Sequence, residues 1–219
     1  MGIKNLLGGT GSHSSGKQGA AMGKTIYIVL TDTGTVLSKM IGMYTRKDFN
    51  HASISFDEQL TEVYSFGRKY QSNPFIAGFV KENFAEGIFR EAKCSIFSWK
   101  VTDGEFERIR SKIRQIEYNK KQYRFNFIGL FGVAVNKGID RERAFFCSQF
   151  VATVLNEGDL PIFTVSPSLV QPHHFSKVAC FQDVYEGDLQ TYLDMARGRA
   201  EHRPVHMSMW KSIAFRLLA

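Results

Sequence analysis

Residues 102–123, TDGEFERIRSKIRQIEYNKKQY, place Phe106, Ile109, Ile113 and Ile116 on one helical stripe, with charged side chains on the opposite face. Thr102 and Glu105 supply a capping box at its start. Such a stripe needs an apolar surface to cover it. The flanking sequence offers one. TIYIVLTDTG (25–34) is a β-branched, apolar run closed by Asp and Gly, and EAKCSIFSWKV (91–101) is another strand. HASISFDEQLTEVYSFG (51–67) reads as a hairpin, with Ala52, Ile54 and Phe56 alternating with His51, Ser53 and Ser55. TVLSKMIGMYTR (35–46) carries Val36, Leu37, Met40 and Met43 at helical spacing and is expected to form a short helix. FNFIGLFGVAVN (125–136) is apolar and is expected to pack inside. The fold class that follows is α+β, an antiparallel sheet packed against helix.

A chain of 219 residues that is 43% hydrophobic is long enough for one domain with a substantial core. We place that domain at 25–196. Residues 1–24 are rich in Gly and Ser and read as a flexible tail. Residues 197–219 read as a basic amphipathic segment containing Trp210, Ile213, Phe215, Leu217 and Leu218. The formal net charge is +7. Lys4, Lys17 and Lys24, with Arg197, Arg199, Arg203, Lys211 and Arg216 against Glu201, account for all of it, so the domain is neutral and no nucleic-acid partner is expected. The C-terminal segment is expected to pack on the domain or on a second copy, ahead of touching an anionic membrane.

No apolar run approaches the roughly 20 residues that span a bilayer, and the N-terminus has no signal-peptide centre. Leu6 stands where a myristoylation signal wants Ser or Thr. The expected location is cytoplasmic. Three cysteines, Cys94, Cys147 and Cys180, are an odd number without metal-ligand spacing, which argues against disulfides and zinc. No cofactor or metal is called for.

The chemistry is concentrated at AFFCSQFVATVLNEG (144–158). Cys147 ends an apolar strand-like run and opens a helix whose stripe is Phe150, Val151, Val154 and Leu155. A cysteine in a first helical turn meets the positive end of the helix dipole and unpaired N–H groups, both of which favour the nucleophilic thiolate. Cys94 and Cys180 have no such setting and read as core or strand. A thiolate nucleophile wants an imidazole beside it. Of six histidines, His51 alone opens a sheet strand, where it would be a rigid general base. His13 is in the tail, His173 and His174 are in a proline-punctuated loop, and His202 and His206 are in the basic segment. A two-residue turn at Glu58–Gln59 would put Glu62 and Tyr64 on the face of His51, whereas an odd-length turn or a bulge would bring Ser65 there instead. Glu62 ranks first as the third residue, with Ser65 and Tyr64 as alternatives.

NHASISF ahead of FFCSQFVATVL, with FNFIGLFGV just before the cysteine and VSPSLV after it, resembles the circularly permuted papain-like superfamily over roughly residues 25 to 175. That group includes NlpC-type cell-wall peptidases, lecithin retinol acyltransferase-like enzymes and permuted bacterial amidase-like proteins. In its permuted members the strand histidine precedes the helix cysteine, as His51 precedes Cys147. The resemblance implies a Cys–His dyad with a polar third residue on the next strand, about where Ser65 falls. The expected activity is cysteine-dependent acyl transfer through a thioester, most simply an amidase or peptidase acting on a small amide, peptide or acyl substrate. The alternatives are a lipid-type acyltransferase or thioesterase, and a non-catalytic binding protein on the same fold.

Overall fold

The computed structural model describes residues 23–33, 49–70 and 73–201. The helix expected over 35–46, the tail at 1–22 and the segment beyond 201 lie outside these residues. Strand β1 (Lys24–Asp32) is apolar on both sides, with Ile26, Ile28 and Leu30 facing one way and Tyr27 and Val29 the other. A strand that reads apolar continuously belongs in the middle of a sheet covered on both faces, and β1 does lie inside. β2 (His51–Ser55), β3 (Val63–Tyr70), β4 (Asn73–Glu82), β5 (Lys93–Val101), β6 (Arg124–Phe125), β7 (Ala144–Phe145) and β8 (Gln182–Asp188) follow. The main sheet has six strands in the order β4-β3-β2-β1-β5-β8, every pair antiparallel. β6 and β7 form a short parallel pair.

Five α-helices occur among the described residues: α1 (Asp103–Tyr118), α2 (Phe127–Ala134), α3 (Cys147–Glu157), α4 (Pro172–Phe175) and α5 (Leu189–Glu201). The capping box at α1 is present: Glu105 N–H donates to Thr102 Oγ1 at 3.3 Å, and Thr102 N–H to Glu105 Oε2 at 2.7 Å. The stripes of α1 and α3 share one core with Ile28, Ile54, Tyr64, Phe66 and Phe79 of the sheet. The opposite face is covered by Leu189, Tyr192, Leu193 and Ala196 of α5, with Phe84 and Phe89 from the β4–β5 connection. The architecture is therefore α+β, a two-faced antiparallel sheet between helices. No helix among the described residues is long and apolar enough to cross a membrane.

Several local expectations change. The stretch 73–82 does not announce a strand, because Pro74 and Gly78 interrupt it; paired to β3 it becomes the sheet's edge. FNFIGLFGVAVN does not pack wholly inside: Val133 is buried, whereas Ile128, Phe131 and Val135 are more than half exposed. Gly158 follows α3 as expected, but its φ is −78° and the left-handed residue is Asp159 at 64°. The glycine is needed for close approach instead, since a Cβ there would run into Ile109 of α1. Cys180 is exposed, whereas Cys94 lies buried on β5.

The β2–β3 hairpin decides the site. Its paired positions are Ile54↔Tyr64 and Ser55↔Val63. Phe56 N–H bonds Glu62 O, so the connection is Asp57–Thr61, an odd length. The carboxylate of Asp57 accepts N–H bonds from Thr61 at 2.9 Å and Glu62 at 2.7 Å, wrapping the loop about itself. Leu60 takes a left-handed φ of 54°, and its side chain is buried. One residue of parity moves every side chain of β3 to the other face.

Candidate active site

His51 is the first residue of β2 and Cys147 the first of α3, and α3 packs across β2 and β3. The Cys147 thiol and the His51 ring stand close enough that each shifts the protonation of the other. The Nε2 atom of that ring is held by Glu82 Oε1 at 2.8 Å, which leaves Nδ1 for the sulfur. Glu82 accepts two more hydrogen bonds, from Ser53 Oγ at 2.6 Å on Oε2 and from Ser65 Oγ at 2.7 Å on Oε1. The side chains of His51 and Glu82 are only 14% and 5% exposed, so this relay is shielded from water.

The third member is Glu82, and the expected Glu62 is not part of the site. Flipped parity sends Glu62 to the α1 side of the sheet, where its carboxylate takes a two-pronged ion pair from Arg110 at 2.8 and 3.1 Å. Tyr64 goes with it and donates its hydroxyl to Glu62. Ser65 reaches the His51 face as the odd-turn alternative requires, but its hydroxyl donates to the Glu82 carboxylate and not to the ring. Glu82 arrives from β4 because Val63 pairs with Glu82 and Ser65 with Val80. Phe79 in the core places Val80 and Glu82 at alternate positions toward the other face; reading 73–82 as a strand ending in an acid was the available signal. We expect Glu62→Gln to leave alkylation of Cys147 unchanged at a stability cost of about 1 kcal/mol, that of a partly exposed ion pair. A large loss of alkylation would show that the hairpin register is wrong.

The charges reinforce one another. Burial lowers the pKa of His51, but the Glu82 carboxylate and the hydrogen bonds to Cys147 and Glu82 outweigh it and raise the value to about 10. Burial raises that of Cys147, yet the hydrogen bond and charge of His51, followed by the N–H groups of Ala52 and Ser148, bring it below the ordinary thiol range. Glu82 is held below its usual range despite burial, first by the charge of His51 and then by the bonds from His51, Ser53 and Ser65. All three shifts run in the direction that favours a thiolate–imidazolium pair backed by a carboxylate. Cys94 is pushed the other way, to about 12, by burial and by the charges of Asp188 and Glu186.

A second polar network fixes the start of α3. Gln149 Oε1 accepts from Phe146 N–H at 3.4 Å, its amide donates to Asp140 at 3.0 Å, and Asn126 Nδ2 donates to Oε1 at 3.3 Å. Ser148 Oγ donates to Val170 O at 2.7 Å. Asn126 also caps α2 through Gly129 N–H. Buried side chains tied at both ends hold Cys147 in register with His51. His173 and His174 lie on α4 and take no part in the relay. Among the described residues no cluster of three or more His, Cys, Asp or Glu is placed to hold a metal ion.

No protein-family model, curated protein or solved structure matches the chain. The case for function is therefore chemical. Cys147 and His51 open onto a cleft of about 260 Å³ bounded by Phe66, Phe89, Phe125 and Leu130 on its apolar side. The arrangement favours a thiolate nucleophile, opens it onto a cleft for a substrate, and sets beside it a group that could return a proton to a leaving group.

Proposed function

We propose that the protein is a cysteine-dependent acyl-transfer enzyme, a hydrolase of the amidase or peptidase kind built on a permuted papain-like plan. The observation that carries this reading is the relay Glu82–His51–Cys147, a cysteine at a helix start beside a buried imidazole whose orientation is set by a carboxylate. A histidine strand preceding a cysteine helix supports the permuted plan. In the reaction the Cys147 thiolate attacks the substrate carbonyl carbon. The Cys147 N–H, one of the helix N–H groups without an acceptor inside the helix, donates to the oxyanion. The C–N bond breaks as His51 protonates the departing amine, leaving a thioester. His51 then takes a proton from water, which attacks the thioester, releasing a carboxylic acid and restoring the thiolate. Glu82 holds the ring in position throughout and does not exchange protons.

Two measurements test this reading. Below neutral pH, iodoacetamide is expected to modify Cys147 ahead of the exposed Cys180, which is still a thiol there, and ahead of the buried Cys94. His51→Ala slows Cys147 and leaves the other two unchanged. p-Nitrophenyl acetate is expected to leave an acetyl group on Cys147 that water then removes, with no such adduct in Cys147→Ala. Equal, slow labelling of all three cysteines would remove the enzyme and favour a binding protein.

A further inference from the structure

The cleft beside Cys147 holds a cation that the relay does not use. Arg68 follows Gly67 on β3, and Gly67 lies directly against the catalytic ring: a Cβ there would stand 3.4 Å from His51 Cε1. Strand alternation turns Arg68 to the opposite side from Gly67, the side of Phe66 and α3, and the residue lines the cleft with Cys147. It is half-buried, and burial alone works against its charge. Arg68 forms no hydrogen bond or ion pair with any described residue. A guanidinium drawn part-way out of water with no partner among the described residues is costly unless something else meets it. Two further cations, Lys69 and Lys81, line the same cleft. Of its two carboxylates, Glu82 is occupied by His51 and two serines, which leaves Glu86 as the opposing acid.

Resting on the acyl-transfer reading, we propose that the substrate carries a carboxylate near the scissile carbonyl and that Arg68 receives it. The planar fork of arginine matches a carboxylate in two parallel hydrogen bonds. With an apolar wall beside the fork, the cleft suits a carboxylate borne on a carbon chain better than free inorganic phosphate. The apolar wall of Phe66, Phe125 and Leu130 then covers the carbon chain between the carboxylate and the carbonyl.

Paired alkylation reads this directly. Iodoacetate and iodoacetamide react with the Cys147 thiolate in the same way, forming an S–C bond and expelling iodide, and differ in the carboxylate. The readout is the ratio of the two rates at Cys147, each divided by the rate for a small free thiol. Part of any iodoacetate preference comes from the His51 imidazolium, so the decisive quantity is the change on substitution. Arg68→Gln is expected to lower the ratio about tenfold, and Arg68→Lys, which keeps the charge and loses the fork, by a smaller factor. In the unaltered protein, glutarate is expected to protect Cys147 from iodoacetamide at concentrations where inorganic phosphate does not, which needs no variant to fold. An unchanged ratio in Arg68→Gln overturns the inference, as does equal or better protection by phosphate, while the acyl-transfer reading stands. Failure of Cys147 to react with either reagent removes the acyl-transfer reading itself, and the substrate assignment falls with it.

Discussion

Replacing Glu82 by glutamine is expected to cut the alkylation rate of Cys147 by about tenfold or more at about pH 6, with a smaller loss near the alkaline end of the profile. The sign follows from the relay. The reactive pair exists above the lowered pKa of Cys147 and below the raised pKa of His51, about 10. Glutamine keeps the shape and an acceptor oxygen for the ring but removes the charge that does most to hold the imidazolium. The His51 pKa then falls, so the alkaline limb moves down. A weaker imidazolium stabilises the thiolate less, so the acid limb moves up. Each unit that the thiol pKa rises removes about tenfold of the thiolate at any pH below it. Glu82→Ala goes further, because it leaves His51, Ser53 and Ser65 without their shared acceptor inside the protein; a loss of about 3–5 kcal/mol is expected from stranding that buried network. The rate constant for iodoacetamide across pH, followed by mass, is the measurement. A Glu82→Gln profile that superimposes on the unaltered one would mean that the carboxylate has no hold on the dyad.

Phe150→Ala is expected to destabilise the protein by about 3–5 kcal/mol. Phe150 is fully buried, one helical turn beyond Cys147, and its ring meets Phe66 at 5.2 Å and Phe79 at 5.9 Å between centroids. Those rings join α3 to β3 and β4, the two strands that bring Ser65 and Glu82 to the site. The cavity left by the missing ring therefore does two things. It removes burial energy, read as a lower denaturant midpoint with an unchanged slope. It also lets the start of α3 shift against β2, and a misplacement of about 1 Å at a catalytic pair costs on the order of a hundredfold in rate. Labelling of Cys147 should fall with stability, and Phe150→Leu, which restores most of the volume, should recover both. A cost below about 1 kcal/mol would contradict the packing of α3 on the sheet.

The apolar stripe of α1, its capping box, the strand alternation at 51–56 and the start of a helix at Cys147 are all local patterns, legible over a few residues, and the structure contains each of them. The pairing of Cys147 with His51 was legible from chemistry: a thiol at a helix start and the single histidine opening a strand are the two groups that complete each other. The third residue was not. Glu62 and Glu82 are both acids on or beside sheet strands, and nothing in their own neighbourhoods separates them. Their difference comes from a loop of five residues, folded around the Asp57 carboxylate, which turns Glu62 toward Arg110 and Ser65 toward His51. A second hairpin then carries Glu82 31 positions along the chain from His51 into the vacated place. Side chains alternate with a period of two, so the parity of one loop decides which carboxylate faces the imidazole. The sequence by itself singled out Cys147, His51 and the class of fold; which acid stands behind the imidazole was decided only when three strands were laid side by side.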